Sequence, residues 1–277
     1  MEPIIYINAY RDLNMYNKFN LISNIRDRFK ITLMGDNFIS DLNLHIANVN
    51  FPLNINKRAY KKNMHIAKKF VRGSKLYMAP NVCNKFDYYI YNDFQKKLYG
   101  YTVSKSIQLA LRMQGKSIKS SCIVVYDSAD NEIFDTILQI SRIAGFLVFL
   151  TEDVKRSQLI SDYIIANFGT SPIVTRDKEY AFKNSDFILT TREINLITKV
   201  PIWYFDNLYT PVDIKGNILN NATYITPWQY PLNKDVSISL LGALLCQMGE
   251  NNIETLLKSN DIYIDKIKFN ESIIAFK

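Results

Sequence analysis

Residues 122–150 read CIVVYDSADNEIFDTILQISRIAGFLVFL, and this stretch decides the fold. Its first five residues form a continuous apolar run, which is typical of a buried strand, and a polar turn over residues 127–132 follows. Apolar residues then recur at three- and four-residue steps as far as Ala144, which predicts a helix ended by Gly145. A second apolar run, FLVFL, completes a βαβ unit, whose crossover we expect to be right-handed.

Similar alternations of strand and helix on both sides of this unit predict an α/β protein with two α/β domains. Residues 1–100 form the predicted N-terminal α/β domain. Residues 101–235 form a Rossmann-like domain, a parallel sheet with helices on both faces. Its central strands are predicted at residues 122–126, 146–150, 187–191 and 202–205. Residues 236–277 hold the most apolar helix, over residues 236–247, and a tail that we expect to return to the domain junction.

In the N-terminal domain, apolar runs predict strands and helical spacing predicts helices. The predicted strands cover residues 3–8, 30–35, 76–80 and 88–91, and the predicted helices cover residues 11–29, 38–49 and 54–71.

Composition places the chain among globular proteins, with 48% hydrophobic and 22% charged residues. No basic segment precedes an apolar run at the start, and no apolar stretch approaches the roughly 20 residues of a membrane helix. The three cysteines share no metal-ligand spacing and are expected to be buried free thiols. These features predict a soluble, cytoplasmic protein. A protein partner or a homodimer is possible, and the net charge of +8 is compatible with a small anionic ligand.

The βαβ unit has two companions in the sequence. The linker Gly115-Lys116-Ser117-Ile118 precedes its first strand, and residues 185–191, SDFILTT, follow later as a polar start and an apolar strand. With these companions, residues 102–207 resemble the cofactor domain of two-domain NAD(P)-dependent dehydrogenases. That superfamily includes shikimate dehydrogenase, dipicolinate synthase and the amino-acid dehydrogenases. The resemblance implies that a dinucleotide, NAD or NADP, lies on the loop after the first strand.

That loop departs from the family pattern. Dinucleotide loops use the pattern G-x-G-x-x-G to turn tightly and to approach the pyrophosphate. Here no glycine lies between Gly115 and Gly145, and the carboxylates of Asp127 and Asp130 flank the pyrophosphate position, with Glu132 close behind. Because these carboxylates would repel a diphosphate, we predict that standard dinucleotide binding is lost and that the cofactor is none.

The resemblance also implies which residues would face a cofactor if one is bound: Asp127, Ser128, Ala129, Asp130, Asn131, Glu152, Thr190 and Thr191. Glu152 would accept a hydrogen bond from a ribose 2′-hydroxyl. Alternatively, Asp153 caps the following helix, and Glu152 is only a surface residue at its first turn.

Two functions therefore stay open. In the first, the chain is a binding or regulatory pseudoenzyme that kept the dehydrogenase scaffold. In the alternative, it is an NAD(P)-dependent oxidoreductase acting on a small anionic metabolite with a modified cofactor loop. The loop itself distinguishes them. If it has abandoned dinucleotides, its carboxylates should be solvated or should cap the next helix; if it serves a cofactor, their repulsion must be removed.

Three further residues follow late strands, where ligands bind in open α/β folds: Tyr209, Trp228 and Gln229. They are candidates for a substrate cleft. Alternatively, they pack between the two domains and have only a structural role. The two histidines, His45 and His65, have no neighbours at metal-ligand spacing, so no metal site is predicted.

Between residues 57 and 75 the chain carries eight basic residues and no acidic one: Lys57, Arg58, Lys61, Lys62, Lys68, Lys69, Arg72 and Lys75. An anionic ligand or a nucleic acid could bind there, and a solvated helix face is the plainer alternative. Nucleic acid is the less favoured ligand, because no aromatic stacking residues alternate with the charges.

Overall fold

A computed structural model describes residues 1–9, 15–71, 75–194, 199–209, 218–228, 235–270 and 272–274. The chain divides into two compact units. The first consists of Met1–Gln95 with Tyr224–Tyr263, and the second of Lys96–Thr223 with Ile264–Lys277. No helix of the described residues combines the length and apolarity that a membrane crossing requires.

The first unit is built on a four-stranded sheet. Its strands are β1 (Ile4–Ala9), β2 (Thr32–Ile39), β3 (Leu44–Phe51) and β4 (Tyr77–Asn81), in the order β2-β3-β1-β4. β1 pairs parallel with both β3 and β4, whereas β2 is an antiparallel edge strand. The helices of this part are α1 (Leu21–Lys30), α2 (Lys57–Ala67) and α3 (Asn84–Asp87).

The helix predicted over residues 38–49 is wrong. These residues form the end of β2, a 3-10 turn over Ser40–Leu42 and most of β3. Asn43 closes the turn in the left-handed conformation, with a φ of 46°, and the rings of Phe38 and His45 meet across the strands at 4.7 Å. The apolar residues of this short hairpin fit a helical spacing equally well, so the pattern alone could not identify it.

The strand predicted over residues 88–91 is also wrong. These residues continue α3 as a turn, because the amides of Ile90 and Tyr91 both donate to the carbonyl oxygen of Asp87. The Tyr91 hydroxyl donates to the carbonyl oxygen of Pro80, which places this aromatic residue beside β4.

The second unit is a six-stranded parallel sheet flanked by helices. Helix α4 (Asp93–Met113) begins in the first unit and continues into the second. The elements that follow it in the second unit are β5 (Cys122–Tyr126), α5 (Phe134–Ser141), β6 (Phe146–Leu150), α6 (Val154–Phe168), β7 (Ile173–Thr175), α7 (Lys178–Lys183), β8 (Phe187–Thr190), β9 (Ile202–Tyr204) and β10 (Ile218–Leu219). The sheet order is β10-β9-β8-β5-β6-β7. The prediction of a parallel Rossmann-like sheet is confirmed, since β5 pairs parallel with β6 and β8, and β8 with β9.

This strand order is that of the dinucleotide-binding fold. Numbered within the unit it reads 3-2-1-4-5-6 from β7 to β10, with β5 as the first strand. The central strands are buried on both faces, as their continuous apolar runs predict. The chain therefore reverses its direction of winding between β5 and β8.

The remaining elements are β11 (Asn221–Ile225), β12 (Val236–Ser237), α8 (Ile238–Leu245), α9 (Ile253–Ser259), β13 (Tyr263–Phe269) and β14 (Ser272–Ile273). β12, β11, β13 and β14 form a third, small sheet in that order. All residues of α8 are buried, and this helix packs against β4 and β1 of the first unit. Gln95 fixes its start by donating hydrogen bonds to the carbonyl oxygens of Ser239, at 3.0 Å, and Met78, at 2.8 Å.

Helices α4 and α5 of the second unit cross with their backbones in close contact at Gly100. A Cβ added there would lie 2.7 Å from the carbonyl oxygen of Asp135, a backbone atom that cannot swing aside. We therefore expect Gly100→Ala to destabilise the protein by about 1–3 kcal/mol through overpacking. Gly35→Ala is the matched control, since an added Cβ there meets nothing within 4 Å. Urea unfolding tests this, and equal stability of the two variants would contradict the close crossing.

Asp87 provides a buried acidic group whose effect on stability depends on pH. It is 0% exposed; one carboxylate oxygen accepts from the amides of Val82, at 2.8 Å, and Cys83, at 2.9 Å, and the other accepts from the Tyr60 hydroxyl. Burial raises the pKa of Asp87 to about 7 in spite of these three donors. In the unfolded chain an aspartate has a pKa of about 3.9.

We expect the free energy of unfolding to fall as pH rises from about 4 to about 7, because only the folded state retains the Asp87 proton there. Asp87→Asn should remove this component, since an amide can accept from both backbone N–H groups and donate to Tyr60. The measurement is chemical unfolding across that pH range. The exposed Asp41→Asn variant is the control and should keep the wild-type slope; an unchanged slope in Asp87→Asn would show that the group titrates normally.

Candidate functional site

The candidate site lies at the carboxyl ends of β5 and β8, where the winding of the second unit reverses. From β5 the chain proceeds to β6 on one side, and from β8 it proceeds to β9 on the other side. Open α/β sheets bind ligands at such a point, in the crevice outside the carboxyl ends of the strands. The site is built from residues 127–131 after β5, residues 190–192 at the end of β8, and the end of β6.

Asp127 makes the turn that follows β5. Its φ is +61°, in the left-handed region that glycine usually occupies and that aspartate tolerates better than most residues. The Asp127 amide donates to the carbonyl oxygen of Leu150 at 2.8 Å, and the Asp127 carbonyl oxygen accepts from the Asp130 amide at 2.9 Å. A tight turn of the kind that dinucleotide loops build with glycine is thus built here with an aspartate.

The Asp127 carboxylate is neutralised inside the loop. This residue is only 2% exposed, and its Oδ2 forms an ion pair with Nε of Arg192, the second residue after β8. Burial raises the pKa of Asp127, Arg192 opposes that increase, and the neighbouring carboxylates of Asp130 and Glu152 add to it. The Arg192 side chain remains more than half exposed, so only part of it is used by the pair.

Threonines at the end of β8 complete the link between the two loops. The Thr191 hydroxyl donates to a carboxylate oxygen of Asp130 at 2.6 Å. The Thr190 hydroxyl accepts from the amide of Arg192 at 3.0 Å and donates to its carbonyl oxygen at 2.7 Å. Thr190 therefore shapes the backbone that presents Arg192, and Thr191 restrains the second carboxylate of the loop.

The two aspartates of this loop lie in different surroundings. Asp127 is buried and ion-paired rather than solvated. Asp130 is the N-cap residue of the 3-10 helix Asn131–Ile133, yet its side chain accepts no capping hydrogen bond; Ile133, at the N-cap of α5, has no polar side-chain atom that could cap the helix. Arg192 offsets the charge of Asp127, and the Thr191 hydroxyl donates to Asp130.

The other predicted residues of this loop have separate positions. The Ser128 hydroxyl lies 2.7 Å from that of Ser157 in α6, and both residues are fully buried. Ala129 is 8% exposed, so Ser128 and Ala129 support the loop from within the fold. Asn131 is exposed, and its side-chain oxygen accepts from the Arg156 guanidinium.

At the end of β6, Asp153 caps α6 by accepting the Arg156 amide at 3.1 Å, as the alternative prediction held. Glu152 is exposed, and its carbonyl oxygen accepts from the Arg176 guanidinium at 3.1 Å. Its carboxylate is close enough to Asp127 to add to the increase in the pKa of that residue.

Sequence analysis did not identify the basic residues at this edge of the sheet. Arg192 is the most important, and Lys178 also contributes, with its ammonium 5.6 Å from the centre of the Tyr126 ring. The available signal was the position of Arg192 directly after the FILTT strand, since residues at that place in adjacent parallel strands meet at one edge.

The predicted substrate residues lie in different units. Tyr209, in the second unit, packs on Tyr204 with ring centroids 5.0 Å apart, and burial raises its pKa. Trp228 belongs to the first unit and is partly buried. Gln229 lies outside the described residues. Within the described ranges, no three His, Cys, Asp or Glu side chains cluster in a way that could hold a metal ion.

The solved structures that are similar to this chain include two dehydrogenases. One is a shikimate dehydrogenase in complex with NADP+, with a TM-score of 0.40 and 11% identity over 94% of this chain and 95% of that chain. The other is the L-tryptophan dehydrogenase from Nostoc punctiforme, with a TM-score of 0.29 and 10% identity over 68% of this chain and 56% of that chain. No protein-family model and no curated protein matches the sequence. The likeness concerns the fold alone.

The prediction that the cofactor is none is wrong. The finding against it is that the similar shikimate dehydrogenase was solved in complex with NADP+.

The ion pair at the switch point gives a stability prediction. We expect Arg192→Gln to destabilise the protein by about 1–2 kcal/mol at pH 8, less than the roughly 3–5 kcal/mol for a fully buried pair, because the Arg192 side chain is largely exposed. The deficit should shrink as the pH falls, because burial raises the pKa of Asp127 and the unpaired carboxylate can then take up a proton. Asp127→Asn should destabilise the protein less than Arg192→Gln does, since asparagine also tolerates the left-handed conformation.

Chemical unfolding of both variants and of the double variant measures the coupling between the two side chains. Lys183→Gln, which removes an exposed charge from α7, is the control. Additive effects of the two substitutions would contradict a stabilising ion pair.

Proposed function

We propose that the second unit binds a nicotinamide dinucleotide and that the protein is an NAD(P)-dependent oxidoreductase acting on a small anionic metabolite. The observation that carries this proposal is the turn at Asp127. A left-handed backbone and an internal ion pair with Arg192 give this loop the tightness and the charge balance that glycine-rich loops have, at the topological switch point of the sheet.

The residues of the crevice fit the phosphate part of such a cofactor. The 3-10 helix Asn131–Ile133 and α5 begin beside the loop, and neither has a side-chain cap on its first amides. Amides at a helix start attract anions. A guanidinium has five N–H donors, so Arg192 can hold Asp127 through Nε and offer others to a phosphate.

The end of β6 fits the ribose. The exposed Glu152 carboxylate can accept from the 2′-hydroxyl of NAD, while Arg176 beside it offers a partner for the 2′-phosphate of NADP. When bound, the nicotinamide supplies hydride-transfer chemistry; the residues of this chain bind it and balance its charge.

A second candidate is a regulatory protein that holds a nucleotide without turning it over. It is favoured by the side chains of Asp127, Ser128 and Ala129, which occupy the loop where a glycine backbone would come close to the pyrophosphate. Binding of the nucleotide in a shifted position would then serve as a signal.

The affinity for dinucleotides tests the proposal. We expect the wild type to bind NAD+ or NADP+ with a micromolar dissociation constant in calorimetry. Arg192→Gln should weaken binding about tenfold, equivalent to about 1.4 kcal/mol, because it removes a phosphate partner and leaves Asp127 unneutralised. Replacing both Asp127 and Asp130 by glycine should change the affinity little or weaken it, and Lys183→Gln should leave it unchanged.

Millimolar binding by the wild type, together with a gain in affinity in the double glycine variant, would refute the proposal. Turnover separates the two candidates. Reduction of NAD(P)+ with a panel of carboxylated alcohols and amino acids is expected for an oxidoreductase, whereas micromolar binding without any reduction would favour the regulatory protein.

A further inference from the structure

A basic cavity lies on the first unit, at the start of α2. Its volume is about 560 Å³, and it is lined by Phe19, Asn56, Lys57, Arg58 and Lys61. We call these five residues the basic cavity. Three of them are cations and none is an acid, so the cavity is strongly positive.

Among the described residues, the three cations of the basic cavity have no acidic partners. No ion pair joins Lys57, Arg58 or Lys61 to a carboxylate in those ranges, and all three side chains are exposed. Lys57 and Lys61 are four positions apart on one helix, where like charges repel each other and slightly destabilise the helix. The arrangement therefore opposes folding slightly, and a bound anion would reverse that effect.

The helix itself adds a second unfavourable interaction. α2 has 11 residues, and its first turn contains no acidic residue but begins with Lys57 and Arg58. Cations at a helix N-terminus are disfavoured by the macrodipole, which prefers negative charge there. Conflicts of this kind between local preference and fold are expected at functional sites.

The wall of the basic cavity is held in place by specific contacts. The Asn56 side chain accepts from the amides of Arg58 and Ala59, and its own amide group donates to Asn17 at 3.1 Å, which ties the loop before α1 to the start of α2. The Lys57 ammonium lies 5.8 Å from the centre of the Tyr89 ring. Phe19, on the tied loop, is 45% exposed and provides the apolar side.

We propose that the basic cavity binds a small phosphate-bearing molecule with at least two negative charges. An arginine and two lysines around one cavity suit phosphate oxygens, which accept charge-assisted hydrogen bonds. The exposed Phe19 ring covers an apolar or planar part of the same molecule. The volume lies in the range of small-molecule sites, about 300–1,000 Å³.

A nucleic acid is the less suitable ligand. Single-stranded nucleic acids bind where several aromatic rings stack on successive bases, and among the described residues that line the cavity only Phe19 is aromatic. Other basic residues of the same segment, Lys62, Lys68 and Lys69, do not line the cavity. They provide a matched control, because their replacement removes the same charge from the same part of the chain.

The test uses pyrophosphate as the probe in calorimetry on the full chain. We expect saturable binding that the triple variant Lys57→Gln, Arg58→Gln, Lys61→Gln weakens at least about tenfold. The control triple variant Lys62→Gln, Lys68→Gln, Lys69→Gln should change the affinity by less than about twofold. Without a probe, the first triple variant should be as resistant to thermal unfolding as the wild type or more so, since it relieves like-charge repulsion.

Equal weakening by the two triple variants, or no saturable pyrophosphate binding, would overturn the proposal. Tight binding of a single-stranded oligonucleotide that both triple variants reduce equally would also overturn it, in favour of a nucleic-acid surface. Arg192→Gln distinguishes this site from the proposed dinucleotide site of the second unit. Pyrophosphate binding at the basic cavity should be unaffected by that substitution, whatever the dinucleotide experiments show.

Discussion

The ion pair between Asp127 and Arg192 is the interaction on which the site of the second unit depends. A loop without glycine must find another residue for its left-handed position, and Asp127 takes it. The consequence is a buried carboxylate at the carboxyl end of the central strand, which is unfavourable unless a cation faces it. The loop after β8 supplies that cation, Arg192. The Thr190 hydroxyl fixes the backbone of Arg192, because it accepts from the Arg192 amide and donates to the Arg192 carbonyl oxygen.

The fold of the second unit could be predicted because its central strands are buried on both faces. Their sequences, CIVVY and FLVFL among them, are continuous apolar runs of strand length separated by turn and helix signals, and these leave little ambiguity. The first unit was harder. The edge strand β2 is half exposed and joined to β3 by a turn at Asn43, so its apolar residues at 38, 39, 42, 44 and 46 satisfy helical and hairpin patterns alike.

The candidate site was predicted in part. The sequence places Asp127 and Asp130 at the loop after the first strand of the βαβ unit, and the topology puts that loop at the switch point. The predicted repulsion, however, assumed carboxylates that face a ligand. Asp127 pairs with Arg192 through a contact between two loops that are far apart in sequence. The same contact contributes to the burial of the Asp127 carboxylate. No local pattern carries that information, because both depend on the packing of β5 beside β8.

The two units treat charge in opposite ways, and the contrast bears on function. In the second unit an unfavourable buried charge is matched by a cation of the same fold, so the loop is complete without a ligand. In the first unit Lys57, Arg58 and Lys61 stand together at the start of α2 where the macrodipole disfavours them, with no acidic partner among the described residues. Folding alone gives no reason to collect cations there. A counter-charge brought by the ligand proposed for the basic cavity does, since it would offset these unfavourable interactions.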